Sequence, residues 1–478
     1  MRVEQTLKPS RPGRLLARTR SICPRCRSVL DAELLVRGGR VVLTRVCPDH
    51  GRTEAVVYGD AERYLEIQRF NKPGEMPLER QTEVERGCPH DCGICPEHAQ
   101  HTCLGVIEVN TACNLDCPIC FAESGTGPQE HGYSLSLEQV ESMLDAFVRA
   151  EGEPESVQLS GGEPSIHPQI LDMLAAARRR GIKLVMLNTN GIRLARDPRF
   201  APALAELGVH VYLQFDGFDE ATQVAIRGRP LTAEKLRALD RCAEAGVSVS
   251  LAAAVERGVN EHEVGGILRF GVEHPAVTGT FFQPVTHSGR FRVDSDPLDK
   301  LTNSDVIDAL CAQLPEWFRL DDFVAVPCCS PSCRSATFAL YDGEDLVPLP
   351  RLVDVEQYLD YVTNCAVPDL KVREALEGLW SAKAAGGSEP VAERLDCVAC
   401  ATGMPPELRE VAARGFMVVV QDFQDPYTLD VEKLRKCCVS EIVPDGRLIP
   451  FCAYNSVGYR EQVRVRMAGP GNGAGDGR

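Results

Sequence analysis

The sequence predicts an α/β protein, a partial (βα)6 TIM-like barrel that lies between two Cys-rich regions. Between residues 105 and 290, short apolar runs alternate with stretches of helical apolar spacing. This alternation indicates parallel strands joined by crossover helices. The chain also carries 21 Cys in 478 residues, in clusters before, within and after the alternation. Clustered Cys without a recognisable secretory signal favours metal binding over a disulfide framework.

Charge and hydropathy exclude several functional classes. The chain has 52 Lys+Arg against 68 Asp+Glu, a formal net charge of −16, so no nucleic-acid partner is expected. No run of 18 apolar residues predicts a membrane-spanning helix, and the basic N-terminus lacks the apolar stretch of a signal peptide. We expect a cytoplasmic protein. Peripheral membrane contact is an alternative, through the basic residues Arg11, Arg14, Arg18 and Arg20.

Changes in composition divide the chain into five predicted segments. They are a loose basic arm (1–20), an N-terminal Cys-rich metal-binding region (21–104), the barrel core (105–295), a C-terminal Cys-rich region (296–465) and a disordered Gly-rich tail (466–478). Beyond residue 300 the regular alternation fails, and helical stretches at 303–314 and 369–383 mix with Cys-bearing loops.

The N-terminal region contains two groups of potential metal ligands. CPRC at 23–26 and CPDHG at 47–51 flank two β-like runs around Gly38-Gly39, which is typical of a zinc-ribbon or rubredoxin-like unit. CPHDCGICPEHAQHTC follows at 88–103. One division assigns a mononuclear Zn or Fe to Cys23, Cys26 and Cys47 with His50 or another thiolate. It assigns a cluster to Cys88, Cys92, Cys95 and Cys103.

Six short runs of the core predict the barrel strands, and their carboxyl ends predict where a ligand binds. The runs are VIEV (106–109), SVQLS (156–160), KLVMLN (183–188), VHVYLQF (209–215), VSVSLAAAV (247–255) and TGTFFQPV (278–285).

The strongest motif is CNLDCPIC at 113–120, directly after the first core strand. Iron–sulfur cubanes are usually held by four Cys. A triplet formed by Cys113, Cys117 and Cys120 leaves one iron open to a small molecule. The alternative is a closed structural zinc site.

CNLDCPIC after one strand and LSGGEPS (159–165) after the next resemble the radical S-adenosylmethionine superfamily over residues 105–290. The resemblance implies that Cys113, Cys117 and Cys120 hold a 4Fe–4S cluster whose fourth iron is chelated by S-adenosylmethionine, with Ile119 at the apolar position beside the last Cys. It further implies that Gly161, Gly162 and Glu163 receive the methionyl ammonium group. A Gly pair permits close backbone approach, and a carboxylate pairs with an ammonium.

Polar residues follow three further strands. In the superfamily the corresponding loops contact ribose, carboxylate and adenine, which implies cofactor contacts for Asn188, Asn190 and Gln214. The alternative is that such residues make turns and helix caps, an explanation that we favour for Asp216. We expect His287 to be a loop residue or a substrate contact. Thr189, Gln283 and Arg290 lie at the same strand ends.

The remaining Cys residues divide by context. Cys242 and Cys311 lie in amphipathic helical stretches and are expected in the core. The others predict one or two further iron–sulfur clusters. They are Cys328, Cys329, Cys333, Cys365, Cys397, Cys400, Cys437, Cys438 and Cys452. Because adjacent side chains diverge, we do not expect both members of either pair, 328/329 or 437/438, to bind the same metal.

The overall pattern, including KCCVSEIVPDGRLIPFCAYN at 436–455, resembles the tetraether lipid synthase and pterin C-methyltransferase group over about residues 20–460. This resemblance implies auxiliary iron–sulfur sites and an electron donor such as ferredoxin or flavodoxin. It also implies a 5′-deoxyadenosyl radical for C–H activation, with C–C bond formation or alkyl or methyl transfer on a lipid or small-molecule substrate. Two alternatives remain: aminocarboxypropyl transfer from S-adenosylmethionine, and a non-catalytic zinc-ribbon binding protein.

Overall fold

The computed structural model describes residues 13–127, 131–341, 345–351, 355 and 415–468. The predicted ligands Cys365, Cys397 and Cys400, the predicted helix 369–383 and the Gly-rich tail from residue 469 lie outside these ranges.

The N-terminal unit is a four-stranded antiparallel sheet in the order β1-β2-β3-β4. Gly38 and Gly39, both with positive φ, make the two-residue turn that joins β2 to β3. The predicted loose arm is wrong for residues 14–20, which form most of β1; their exposed Arg residues lie on an edge strand, where charge discourages further pairing. The strands are β1 Arg14–Ile22, β2 Val29–Arg37, β3 Arg40–Cys47 and β4 Gly51–Tyr58.

The second sheet contains all six predicted core strands, in parallel and in chain order, and the α/β prediction is confirmed. They are β5 Leu104–Asn110, β6 Ser156–Gly161, β7 Leu184–Thr189, β8 His210–Gln214, β9 Val249–Val255 and β10 Val277–Pro284.

The C-terminal region extends this sheet on both sides. The strands are β11 Val324–Ala325, β12 Arg334–Tyr341, β13 Leu346–Pro348, β14 Gly415–Gln421, β15 Val439–Ile442 and β16 Leu448–Pro450. β14 pairs in parallel with β10, and β15 pairs in parallel with β5. The described parallel sheet therefore has eight strands rather than the predicted six. Hydrogen bonds do not join β11 to β16 within the described ranges, so the barrel is open.

The helices cover one face of the curved sheet. Alternate strand residues such as Val157, Leu187 and Val211 point to this side and are fully buried. The opposite faces of the strands line an internal chamber. The described helices are α1 Ala61–Glu66, α2 Leu137–Glu151, α3 Ile170–Arg179, α4 Ile192–Arg196, α5 Phe200–Glu206, α6 Glu220–Arg227, α7 Thr232–Ala245, α8 Val264–Glu273, α9 Asn303–Gln313, α10 Val431–Arg435, α11 Phe451–Ser456 and α12 Tyr459–Met467.

Candidate active site

A chamber of about 790 Å³ occupies the inside of the open barrel. Strands from β5 to β12 contribute inward side chains to its wall, and α11 contributes Phe451 and Asn455. Most of the lining is apolar with a few polar groups, which is typical of a small-ligand site.

The predicted cluster ligands Cys113, Cys117 and Cys120 all line this chamber. Their loop is fixed to the loop after β10, because Cys120 and Arg290 exchange two backbone hydrogen bonds of 2.9 Å. The Arg290 Nε also donates to the Cys117 carbonyl, at 3.1 Å. The predicted strand-end residue Arg290 therefore holds the Cys loop in place.

The triplet suits a multi-iron cluster better than a single ion. Ligands of one ion lie within about 4.6 Å of one another at a metal–sulfur distance of about 2.3 Å, and the three sulfur atoms of the triplet are not gathered this closely. Burial raises the pKa of Cys113 to about 12 and also raises that of Cys117. Metal binding at these thiols must therefore release protons.

The Gly161–Glu163 segment runs beside the Cys loop. A Cβ on Gly162 would lie 2.3 Å from the Ala112 carbonyl oxygen, so only Gly fits there. The Glu163 carboxylate accepts hydrogen bonds from Ser165 N (3.0 Å), Thr189 Oγ (2.7 Å) and Asn190 N (2.8 Å). Three of its lone pairs are therefore already used within the protein, and one remains for the predicted ammonium contact.

Two predicted cofactor contacts, Asn188 and Gln214, line the chamber, and each has protein partners. The Asn188 amide donates to Ser160 Oγ at 3.1 Å. Gln214 accepts from Lys235 Nζ at 3.1 Å and donates to Asp216 at 3.3 Å.

Asn190, the third predicted cofactor contact, lines the chamber and also shapes its own turn. Its Oδ1 accepts from the Ile192 N–H at 3.0 Å, and its amide donates to Asn114 at 2.7 Å. Asp216 is fully buried and binds Arg227 through two hydrogen bonds of 2.7 and 2.8 Å. The turn or helix-cap interpretation of Asp216 is therefore wrong. Its carboxylate binds Arg227 and also accepts from Ala254 N at 2.9 Å, rather than from the N–H groups that follow it.

Arg227 and Lys235 belong to the site but were not predicted. The Arg227 guanidinium, fixed by Asp216, lines the chamber beside the Cys loop. Lys235 is fully buried, and its Nζ donates to the Asn190 carbonyl at 2.7 Å; burial lowers its pKa to about 8. Both residues lie on helices. Charged residues on helices are usually exposed, so the sequence did not indicate that these two belong to the site.

His287 is buried in the loop after β10. Its backbone N–H donates to Asp425 at 2.9 Å, and its Nε2 lies 3.0 Å from Ser295 Oγ. These contacts agree with the expectation of a loop residue.

The N-terminal sheet brings Cys23, Cys26, Cys47 and His50 together, with all four ligand atoms within 4.8 Å of one another. The Cys26 and Cys47 sulfur atoms are 3.9 Å apart, and His50 Nδ1 lies 3.5 and 3.4 Å from Cys23 and Cys47. A tetrahedral Zn site with ordinary bond lengths has edges of about 3.8 Å between two sulfurs and about 3.6 Å between sulfur and nitrogen. The donor set fits one tetrahedral ion.

A second group joins Cys103, Cys328 and Cys438, and the sulfur atoms of Cys328 and Cys438 are 3.8 Å apart. The predicted division that placed Cys103 with Cys88, Cys92 and Cys95 is therefore wrong. Cys103 directly precedes β5 and Cys438 directly precedes β15, so the pairing of these strands places the two residues side by side; the Cys103 N–H donates to the Cys438 carbonyl at 2.9 Å. Cys329 and Cys333 pack against the same group.

A third group contains Cys88, Cys92 and Cys95, which line one small pocket together with Glu97, His98 and Arg435. The Cys437 thiol contacts Cys452 rather than the group that holds its neighbour Cys438. This contact and, to a smaller extent, burial raise the pKa of Cys437. The adjacent pair 437/438 thus diverges as expected. The pair 328/329 does not, because Cys328 and Cys329 contact each other and both contact Cys438. Cys242 is fully buried in α7, and Cys311 lies in α9.

Comparison with known proteins agrees with these features. The family model described as the radical SAM superfamily matches residues 107–271, and the HMPTM N-terminal zinc ribbon domain matches residues 15–59. A 7,8-dihydro-6-hydroxymethylpterin dimethyltransferase of Methanocaldococcus jannaschii is 31% identical over 95% of this chain and 96% of its own length. This chain belongs to the radical S-adenosylmethionine superfamily.

Other proteins match smaller parts of the chain. A GTP 3′,8-cyclase of Rhodopirellula baltica is 31% identical over 50% of this chain and 64% of its own length. The solved structure of Streptococcus suis SuiB bound to precursor peptide SuiA is 15% identical with a TM-score of 0.37, covering 46% of each chain.

Family membership implies two cofactors. The radical SAM superfamily uses a 4Fe–4S cluster and S-adenosylmethionine, and the Cys-rich clusters and the zinc ribbon predicted here are present. Among the described residues, no helix is both long and apolar enough to traverse a bilayer.

Proposed function

We propose that this protein uses S-adenosylmethionine to activate a C–H bond and form a carbon–carbon bond on a reduced pterin or a closely related heterocycle, by methyl transfer. One observation supports this proposal most directly. The Cys triplet, Gly162 and Glu163 line one chamber, in a chain that a pterin dimethyltransferase matches over 95% of its length.

In this proposal the residues of the chamber hold the cofactor. Cys113, Cys117 and Cys120 hold a 4Fe–4S cluster, and Gly162 lets the methionyl group approach the backbone. The bound cluster and S-adenosylmethionine supply a 5′-deoxyadenosyl radical after one-electron reduction by a donor such as ferredoxin or flavodoxin. Asn188 and Gln214 orient the nucleoside, and the apolar strand residues of the wall exclude water.

The other metal ligands have auxiliary roles in the proposal. Cys23, Cys26, Cys47 and His50 hold one Zn or Fe ion. The two remaining groups hold auxiliary iron–sulfur clusters: Cys103, Cys328 and Cys438 in one, with Cys333 beside them, and Cys88, Cys92 and Cys95 in the other. Cys437 and Cys452 complete the candidate set.

The test is anaerobic reconstitution with iron, sulfide, S-adenosylmethionine and dithionite, followed by mass spectrometry of the nucleosides. We expect 5′-deoxyadenosine from the parent and from Cys242→Ala, the buried core thiol, and none from Cys117→Ala. With 7,8-dihydro-6-hydroxymethylpterin and excess S-adenosylmethionine we expect a pterin product heavier by one or two methyl groups. Each methyl group comes from a second S-adenosylmethionine, which leaves as S-adenosylhomocysteine, and dithionite supplies the two electrons needed for each methylation. Methylthioadenosine instead of 5′-deoxyadenosine would replace the proposal with aminocarboxypropyl transfer, and a colourless zinc-only protein would indicate a binding module.

A further inference from the structure

One wall of the chamber carries a cation, Arg334, that has no acidic partner among the residues that the structure describes. Arg334 begins β12 and lines the chamber. Its Nε donates to the Oε1 of Gln421, its register partner on β14. The Gln421 amide nitrogen donates in turn to the Cys333 carbonyl at 3.2 Å. These two bonds fix the plane of the guanidinium.

The terminal nitrogens of Arg334 are left for a ligand. Within the part of the chain that the structure describes, no carboxylate forms an ion pair with Arg334. A guanidinium stays charged at every pH at which the protein folds, and a buried charge without a partner is costly. The two NH2 groups, which have no hydrogen-bond partner in the described ranges, therefore favour a ligand that brings acceptor atoms into the chamber.

Two further polar side chains, Tyr212 and Gln158, line the same chamber. The Tyr212 hydroxyl accepts from Gln283 Nε2 at 2.9 Å, and its ring packs edge-on against Phe281 at 5.2 Å. The Gln158 side chain lines the chamber, and its amide has no hydrogen-bond partner in the described ranges. The Tyr212 hydroxyl hydrogen and the Gln158 amide thus add hydrogen-bonding capacity to an otherwise mainly apolar wall.

A competing explanation is that Arg334 balances the negative charge of nearby thiolates, because Cys438 and Cys328 interact electrostatically with its guanidinium. Lys436 offers a matched comparison. The same thiols act on its ammonium group, but it does not line the chamber; instead its Nζ donates to Asn71 Oδ1 at 2.5 Å.

We propose that Arg334 determines substrate specificity by binding two acceptors in one plane, a ring carbonyl oxygen beside an imine-type ring nitrogen. This inference rests on the proposed function and narrows its substrate to pterin-like heterocycles, which carry such an edge. Arginine reads the equivalent O6/N7 edge of guanine through two parallel hydrogen bonds. A hydrocarbon chain offers no acceptor of this kind.

The test is anaerobic equilibrium dialysis of 6-hydroxymethylpterin, an oxidised probe, against the full-length, iron-loaded protein. We compare the parent with Arg334→Gln, Arg334→Lys and Lys436→Gln, and measure iron and sulfide for each. A lost bidentate contact, worth about 1–3 kcal/mol, predicts a Kd raised by about fivefold to 150-fold in Arg334→Gln. Arg334→Lys keeps the charge but not the planar pair, and should also weaken binding. Lys436→Gln should leave the Kd within about twofold.

Four results would overturn the inference. The first is a Kd for Arg334→Lys or Arg334→Gln within about twofold of the parent at equal iron content. The second is an equal loss in Lys436→Gln, which would assign Arg334 to charge balance. The third is binding of inorganic pyrophosphate through Arg334 without binding of the pterin, which would assign an anionic substrate group. The fourth is a parent that forms 5′-deoxyadenosine but binds no pterin; there the radical function stands and only the substrate assignment fails.

Discussion

Glu163 shows how a residue predicted to contact a ligand also organises the loops around that ligand. Its carboxylate receives Ser165, Thr189 and Asn190, and Lys235 holds the Asn190 carbonyl from the other side. The GGE pattern predicted the position of Glu163, but a motif cannot reveal that most of its hydrogen-bonding capacity is used internally. Ser165 is local, but Thr189 ends β7 and Asn190 follows it, so these two become neighbours of Glu163 only through the β6–β7 pairing.

At the residue scale, His210 predicts a pH-dependent stability. It shares a 2.8 Å hydrogen bond with buried Ser250, and burial lowers its pKa from 6.5 to about 4. Between these values the unfolded chain binds more protons than the folded protein, so the free energy of unfolding falls as the pH drops from 6.5 towards 4. The contribution is on the order of 2 kcal/mol, below the full linkage value because the ring is partly exposed.

The measurement is urea unfolding of the metal-loaded protein at pH 7.5 and pH 5. We expect His210→Gln to lose less stability between the two pH values than the parent does. His262→Gln, at an exposed ring, should follow the parent. Equal losses in His210→Gln and the parent would contradict the assignment.

At the scale of elements, the N-terminal sheet predicts a separate mononuclear site. Cys47 ends β3, and its sulfur lies within reach of Cys26 and His50. We expect Cys47→Ser to lose about one metal ion per chain and no inorganic sulfide, because a mononuclear site contains none. Metal analysis and sulfide determination check this, with Cys242→Ser as the control. An unchanged metal content in Cys47→Ser would show that the ribbon holds no ion.

The six core strands could be predicted because each is an apolar run bounded by helical stretches. β14 and β15 could not be assigned, although β14 is also apolar. β15 has only four residues, too few for a periodic signal, and both strands join the sheet after long intervening segments. The edge strand β1 was missed because its exposed Arg residues suggested a solvated arm.

At the scale of the whole molecule, an ion pair joins the C-terminal helix α12 to the first core strand. Arg460 Nη2 donates to Glu108 Oε1 at 2.5 Å, and Tyr454 donates to the other carboxylate oxygen at 3.0 Å. Glu441 is 1% exposed beside them; burial and then the charge of Glu108 raise its pKa well above the usual range. Against the effect of burial, Arg460 and Arg464 both lower the pKa of Glu108, and the charge of Arg460 also opposes the rise in the pKa of Glu441.

We expect Arg460→Met to lower the free energy of unfolding by about 3–5 kcal/mol, because it removes the guanidinium that is hydrogen-bonded to buried Glu108. Arg466→Met, on the same helix but with a 58% exposed side chain in its pair with Asp445, should cost less than about 1 kcal/mol. Urea unfolding under anaerobic conditions measures both. Adding Glu108→Gln to Arg460→Met should recover part of the loss, and equal effects of the two Arg substitutions would contradict this.

The sequence alone determined the features that depend on local spacing. These are the Cys triplet, the GGE segment, the two Cys motifs of the N-terminal sheet (23–26 and 47–51) and the alternation of strands and helices. Each can be recognised from residues that are close together in the sequence. Only the tertiary structure decided which distant thiols meet, and that Arg334 faces the chamber without an acidic partner in the described ranges. Cys103 and Cys438 are 335 positions apart in the printed numbering, and they become neighbours through the register of β5 with β15. Strand register is set by packing of the whole sheet, which local spacing does not encode.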